Sequence, residues 1–280
     1  SAFRPLIALR DAIRARQPDD LTPVPINRVA AEVMPLIDAV NHHTTRLTDM
    51  LAARKRFLAD AAHQIRTPLA VLGTQAEYGL RQDDPAEMRR TLQGLVKSIG
   101  NAQRLANQML ALSRAEAVNG LIQEKAPVDV AALAHEAASE LGLLAVKKGI
   151  DLAYVAPKSP AMVDGNGPML QEMIANLIDN AIRYTPAGGH VELAVASAAD
   201  AVVITVADDG PGIPAGEREL VFHRFYRILG QGDTHGSGLG LAIVREICLA
   251  HGGRIELGDG RARDGGHGLQ AKITLPVATA

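Results

Sequence analysis

His63 is the side chain in this sequence best placed for nucleophilic chemistry, because a helical reading turns it toward solvent. Leu58, Ala62, Ile65, Leu69, Leu72 and Ala76 recur at 4,3,4,3,4 spacing, the mark of a heptad seam. At about 100° per residue, His63 points about 140° away from that seam and Thr67 about 180° away. The two therefore share the exposed side, one turn apart. Pro68 follows and has no N–H to offer the Gln64 carbonyl, so the helix is expected to kink just below the histidine. A bent, exposed turn suits in-line attack, although a merely solvated surface histidine would present the same pattern.

Three further segments could handle a nucleotide. Asn176 to Thr185 closes a helix, with Asn176, Asn180 and Arg183 along one face; amide oxygens there suit a hydrated magnesium ion, a hard cation that takes oxygen ligands. Asparagine is a poor helix former, so two on one face call for a reason, a C-terminal cap being the plainer one. After a strand comes Asp208-Asp209-Gly210-Pro211-Gly212-Ile213-Pro214. There Asp208 could accept a hydrogen bond from an exocyclic amine such as that of adenine, and Gly210 and Gly212 allow close backbone approach. Taken singly, this is also an ordinary turn signal. Gly236-Ser237-Gly238-Leu239-Gly240-Leu241 opens a helix, and glycine-rich backbone at a helix start is an anion site. It is neither a Walker loop, lacking Gly-Lys-Ser/Thr, nor a Rossmann fingerprint, lacking a strand immediately before it.

The elements that must hold these residues fall into two halves, with a boundary near Asn119-Gly120. A second seam, Met88, Leu92, Leu95, Ile99, Ala102, Ala106 and Met109, follows the first after Asp83-Asp84-Pro85, which predicts an antiparallel helical hairpin. One hairpin cannot enclose both seams, so a homodimeric four-helix bundle is expected. Upstream, Arg4 to Arg16 reads as a short helix, Pro18 to Pro25 as an extended connector and Asn27 to Asn41 as a second helix. Downstream the pattern predicts helices over Asp129–Lys148, Pro168–Tyr184 and Leu239–Ala250. Strands are expected over Ile150–Val155, His190–Ala196, Val202–Ala207, Arg254–Leu257 and Leu269–Leu275. That order implies an α/β sandwich with a mixed, largely antiparallel sheet.

Composition excludes other classes. Among 280 residues, 47% are apolar and only 3% aromatic, so the core must be aliphatic. The 29 basic and 31 acidic residues give a net charge of −2, which argues against a nucleic-acid or anionic-lipid surface. The single Cys248 precludes an intramolecular disulfide or a cysteine-built zinc site, and its apolar helix suggests a buried small hydrophobe. His42, His43, His135, His190, His251 and His267 lack ligand spacing and read as surface or capping groups. Gly258–Gly268 reads as a flexible hairpin loop. The abrupt start at Ser1, inside a helical pattern, suggests a piece of a longer chain.

In order, Ala62–Leu69, Asn176–Thr185, Asp208–Pro214, Phe222-His223-Arg224-Phe225-Tyr226-Arg227 and Gly236–Leu241 resemble the H, N, G1, F and G2 boxes of the sensor histidine kinases. The resemblance runs from about Leu47 to Pro276. It implies a HAMP-like relay over residues 1–46, a dimerisation and phosphotransfer hairpin over 47–119, and a Bergerat-type ATP-binding α/β sandwich over 120–280. Glu32-Val33 fits the relay, whereas Met34-Pro35 departs from it. By the same resemblance His63 is the phosphoacceptor, with Gln64, Arg66 and Thr67 beside it in the H box. Asn180 is the magnesium ligand next to Asn176, Tyr184 packs on the base, and Asp208 reads the adenine amine. Gly210, Gly212, Ile213 and Gly236, Ser237, Gly238, Leu239, Gly240 and Leu241 shape the pocket. Arg224 and Arg227 face phosphates or the lid, Arg183 belongs to the nucleotide-binding set, Phe225 and Tyr226 belong to the F box, and Gly230–His235 forms the mobile lid.

Gln64 replaces a usual acidic residue and Arg183 a common lysine. The His-Gln pair resembles the tricarboxylate-transport sensors. An amide can orient the imidazole but cannot take its proton, which leaves a nonenzymatic ATP-binding scaffold as the alternative. The implied cofactors are ATP and Mg2+. The implied partners are a response-regulator receiver domain and a second copy of the chain, with no nucleic acid. The whole protein is expected to be anchored in the bacterial inner membrane, with this portion in the cytoplasm.

Overall fold

The computed structural model describes residues 10, 20–23, 34–117, 125–198, 200–228, 236–261 and 267–278. The chain divides into two compact units, Ser1–Thr67 and Pro68–Ala280. Helix α1, Met34–Leu80, begins in the first unit and carries Pro68 in its interior. The helix end expected at Asn41 is absent, because no proline or glycine interrupts residues 36–67. Two threonines there are also satisfied within the helix: Thr44 and Thr48 donate their hydroxyls to the carbonyls of Val40 and Thr44, each at 2.9 Å. The expected helices over Arg4–Arg16 and Asn27–Val33, including Glu32-Val33, lie outside the described residues, Arg10 excepted. Of the expected connector, residues 20–23 are described; they are non-helical, with the Asp20 carboxylate accepting from the Thr22 N–H and hydroxyl.

Helix α2, Pro85–Ala117, completes the predicted hairpin. Asp84 accepts from the Ala86 N–H at 3.0 Å, so the acidic turn caps α2 while proline starts it. Small and polar residues make contacts between the two helices, and the seam residues Leu72 and Leu95 are half-buried. Ser98 donates to Gln75 at 3.0 Å, and a Cβ on Gly79 would sit 3.2 Å from Thr91 Cγ2. The seam residues Leu58, Ile65, Leu69, Met88, Leu92 and Ile99 remain exposed. The domain boundary expected near Asn119-Gly120 lies outside the described residues.

The remainder is an α/β sandwich. Strand β1 (Ala126–Asp129) is followed by α3 (Val130–Lys148), β2 (Asp151–Val155), β3 (Met162–Gly165) and α4 (Gly167–Tyr184). Then come β4 (His190–Ser197), β5 (Ala201–Asp208), short 3-10 turns at Ala215–Glu217 and Leu220–Phe222, α5 (Gly240–Ala250), β6 (Arg254–Asp259) and β7 (Leu269–Pro276). The main sheet has the order β2-β4-β5-β7-β6; only β2 and β4 run parallel. That is the mixed, largely antiparallel sheet the alternation predicted. The two-stranded β1–β3 sheet was not predicted. It is antiparallel and pairs Ala126 with Gly165. Asp129 locks it by accepting from Ala131 N and Ala161 N at 3.0 and 3.1 Å, which also caps α3.

Alternate residues of the sheet are buried beneath the helices: Val191, Leu193 and Val195 on β4, Val202, Ile204 and Val206 on β5, Ile273 and Leu275 on β7. Leu170, Met173, Ile174, Leu177, Ile178 and Ile182 of α4 fill the facing layer. This aliphatic core satisfies the composition, and each such side chain contributes roughly 1.5–3 kcal/mol. Cys248 is fully buried, its thiol pushed up to about 12 by desolvation. Gly258 lies within β6, so the expected hairpin loop is shorter than Gly258–Gly268 and partly outside the described residues. Among the described residues no helix is long and apolar enough to cross a membrane.

Candidate active site

The predicted residues occupy both units. In the first, His63, Arg66 and Thr67 are exposed on α1 and Gln64 is half-buried. The Thr67 hydroxyl lies 3.5 Å from the His63 carbonyl oxygen, on the i−4 path that threonine uses within helices. Among the described residues no cluster of three or more His, Cys, Asp or Glu could hold a metal.

In the second unit the C-terminal half of α4 forms one wall. Asn180 lies against the start of α5: a Cβ on Gly240 would fall 2.8 Å from its Nδ2 and 3.0 Å from its Oδ1. A larger residue there would have to push the Asn180 amide aside, which gives a reason for the last glycine of the Gly-rich run. Arg183 pairs with Asp179 at 2.8 Å one turn back. Asn176 differs from its predicted neighbour. It is buried, donates to the Glu172 carbonyl and carboxylate at 2.9 Å each, and accepts from Gln108 at 3.4 Å. Its amide is thus spent inside the protein, whereas Asn180 Oδ1 is an amide oxygen of the kind a hard cation could take. Tyr184 is half-buried at the helix end, and Lys148 donates to the Ile182 and Arg183 carbonyls beside it. Burial, with Arg183 nearby, lowers the Lys148 pKa.

The opposite wall begins where β5 ends. Asp208 is 4% exposed, and its Oδ1 accepts from Gly210 N at 2.9 Å and Leu269 N at 3.2 Å. Desolvation raises its pKa to about 6 despite those hydrogen bonds. A Cβ on Gly210 would meet Asp208 Oδ1 and the Tyr184 carbonyl oxygen, both at 3.0 Å, so this glycine lets the chain pass between the walls. Gly212, at φ +72°, approaches the Gly268 carbonyl oxygen so closely that a Cβ would sit 2.4 Å from it. Ile213 is half-buried, and its carbonyl accepts from Arg218 at 3.1 Å.

The third side is irregular backbone. Phe225 adopts φ 62°, an uncommon conformation for a bulky residue, and donates its N–H to Gly238 O at 2.9 Å. Gly238, at φ +72°, faces the Phe225 backbone. The half-buried Tyr226 bonds Glu217, which raises its pKa; Arg224 is half-buried and Arg227 exposed. The Ser237 Oγ accepts from Leu239 N at 3.1 Å and donates to Gln108 at 2.7 Å. Gly236 and Leu241 are half-buried, Leu239 and Gly240 buried. The expected lid, Gly230–His235, lies outside the described residues.

Two side chains lay outside the sequence motifs, and a third takes a role more specific than expected. Lys148 and Gln108 belong to helices with no motif of their own. His251, read as a surface or capping group, is a buried cap: its Nδ1 bonds Ile247 O at 2.7 Å and its Nε2 accepts from Asn166 N at 3.1 Å, joining the end of α5 to the start of α4. Burial holds its pKa below the ordinary histidine value.

Comparison with known proteins accords with this arrangement. Residues 165–279 match the family of histidine kinase-, DNA gyrase B- and HSP90-like ATPases. Residues 53–118, which include His63, match the His Kinase A phospho-acceptor domain, and residues 3–49 a PhoQ-like HAMP domain. The sensor protein kinase PmrB of Pseudomonas aeruginosa is 39% identical over 97% of this chain, which spans 56% of that relative. The chain thus covers about half the length of such a sensor. Full-length ShkA, solved with AMPPNP, superposes with a TM-score of 0.57 at 26% identity, over 81% of this chain and 46% of that one. The kinase ThkA, solved in complex with the response regulator TrrA, shares the fold with a TM-score of 0.62 at 20% identity, over 82% of this chain and 64% of that one. The tricarboxylate-transport likeness of His63-Gln64 has no counterpart among these names. With a phospho-acceptor module and an ATPase module following a HAMP region in one chain, this protein belongs to the sensor histidine kinases.

Proposed function

We propose that His63 takes the γ-phosphoryl group of ATP and passes it to an aspartate of a response-regulator receiver domain. The observation that carries this reading is the exposed imidazole on α1 in a chain whose second unit brings the buried Asp208, Gly210 and Gly240 against the C-terminal half of α4. In the first step a ring nitrogen of His63 attacks the γ-phosphorus. An N–P bond forms, the bond to the bridging oxygen breaks, ADP leaves, and the surplus imidazole proton passes to solvent. Gln64 orients the ring rather than taking that proton. In the second step a regulator carboxylate attacks the phosphohistidine, the N–P bond breaks, and His63 is restored.

Asp208 accepts the adenine amine, Tyr184 stacks on the base, and Gly210, Gly212 and Ile213 let the backbone approach it. Arg183, Arg224 and Arg227 face the phosphates, with the 236–241 backbone supplying N–H donors. Asn180 Oδ1 would hold magnesium, which when bound neutralises charge on the transferring group. ShkA was solved with an ATP analogue and ThkA with a regulator, which supports both partners. A homodimer, and a whole protein anchored in the bacterial inner membrane with this portion on the cytoplasmic side, complete the proposal; the HAMP match supports the anchoring. Thr67, one turn from His63, would orient a water toward the regulator's aspartyl phosphate for its hydrolysis.

The test is labelling with γ-labelled ATP and magnesium. Acid-labile label is expected in the native chain and none in His63→Ala, with ATP binding retained. Persistent acid-labile label in that variant would overturn the assignment, and ATP binding without any label in the native chain would favour the scaffold reading that Gln64 leaves open.

A further inference from the structure

We infer that Gln108 is a latch that holds helix α2 on the nucleotide cleft in competition with nucleotide, an inference that rests on the reading of residues 176–241 as the ATP site. Its amide is engaged at both ends. Oε1 accepts from the Ser237 hydroxyl at 2.7 Å, and Nε2 donates to Asn176 Oδ1 at 3.4 Å. One turn earlier on the same helix, Arg104 lies 3.7 Å from Asp179, whose other oxygen takes Arg183 at 2.8 Å. One face of α2 therefore reaches Asn176 and Ser237 directly and Arg183 through Asp179. Met109, Leu112 and Ala115, on the turns that follow, are buried, so the polar contacts sit beside an apolar anchorage.

The sign of the coupling comes from the hydroxyl. Because the Ser237 proton is given to Gln108, its lone pair is directed to the Leu239 N–H at 3.1 Å. That N–H stands at the start of α5, where an anion would draw on it. Chained hydrogen bonds reinforce one another, so Gln108 strengthens the hold of Ser237 on this donor. Nucleotide phosphates that need the donor must displace Ser237 and with it one end of the latch. By reciprocity, whatever loosens α2 tightens nucleotide binding, and nucleotide loosens α2 by the same factor.

The test uses the whole chain, with Mg-ATP affinity measured by calorimetry. Gln108→Ala should bind about three- to tenfold more tightly, the range one neutral hydrogen bond spans. Gln108→Met, which keeps the length without the amide, should move the same way. Matched thermal midpoints would show that each variant is folded. Saturating ATP should speed amide hydrogen exchange over residues 104–115 in the native chain, and by less in Gln108→Met. Affinity unchanged or weakened in both variants, or exchange in α2 indifferent to ATP, would overturn the latch alone. No ATP binding by the native chain would overturn the nucleotide reading and the latch together.

Discussion

Asp208 shows what a single carboxylate costs a fold that keeps it. Its ordinary value is 3.8, and burial raises it to about 6 in the folded chain. Below about pH 4 both folded and unfolded chains hold the proton, and no penalty arises. Between pH 4 and pH 6 the unfolded chain has released a proton that the folded chain retains, so stability falls as pH rises through that window. Above pH 6 the full cost applies, up to about 3 kcal/mol. Asp208→Asn keeps an oxygen for Gly210 and Leu269 while removing the charge. It should therefore raise the urea midpoint at pH 7.5 and leave it nearly unchanged at pH 4. An equal gain at both values would mean that charge is not the cause. On the proposed reading of Asp208 as the acceptor of the adenine amine, the same variant should bind ATP about tenfold more weakly, since the amide then presents a donor of its own. A group that lowers stability yet sits where binding needs it is what a functional site looks like.

At the scale of elements, local rules decided most of the outcome. Heptad spacing gave both hairpin helices, alternation gave the five long strands, and Asp129 and Pro85 marked helix starts where they occur. Two features escaped for physical reasons. Strands β1 and β3 have four residues each, too few for alternation to register, and pair only through a contact distant in sequence. The hairpin's polar contacts, Ser98 with Gln75 and Gly79 against Thr91, are ones no hydrophobic pattern announces. At the site, residue types and order marked the boxes, whereas Gln108 and Lys148 act from helices that carry none of the boxes and His251 acts from the far end of α5, ten residues beyond its box. The Gly-rich segment permits a sharp test. At Gly238 a Cβ would lie 2.6 Å from the Phe225 carbonyl carbon, and its φ is +72°. Gly238→Ala should cost about 1–3 kcal/mol and release the Phe225 N–H from Gly238 O. At Gly258, in β6, nothing lies within 4 Å of an added Cβ and φ is not positive, so Gly258→Ala should be neutral or slightly stabilising. Denaturant midpoints decide the pair: equal loss at both positions would remove steric approach as the reason for Gly238.

For the molecule as a whole, the question is what covers the seams. Leu58, Leu69, Leu92 and Ile99 are 59%, 57%, 55% and 44% exposed in one chain. They recur at heptad spacing, whereas the seam members Leu72 and Leu95 are half-buried and Gln75 bonds Ser98 between the two helices. Aliphatic side chains repeated in this way are worth roughly 1.5–3 kcal/mol each when buried, and a second copy offers the complementary surface at no cost in new sequence. The interface of such a dimer is isologous, so one substitution enters it twice. Ile99→Glu would set two carboxylates within an apolar bundle and should weaken association about a hundredfold or more, an amount a few kcal/mol produces. Gln75→Ala is the control, because Gln75 bonds Ser98 inside the hairpin and lies off both seams. Light scattering at micromolar concentration should find the native chain and Gln75→Ala dimeric and Ile99→Glu monomeric, with circular dichroism reporting whether the freed hairpin keeps its helices. A monomeric native chain, or a dimer indifferent to a charge at Ile99, would mean that the seams serve some other contact.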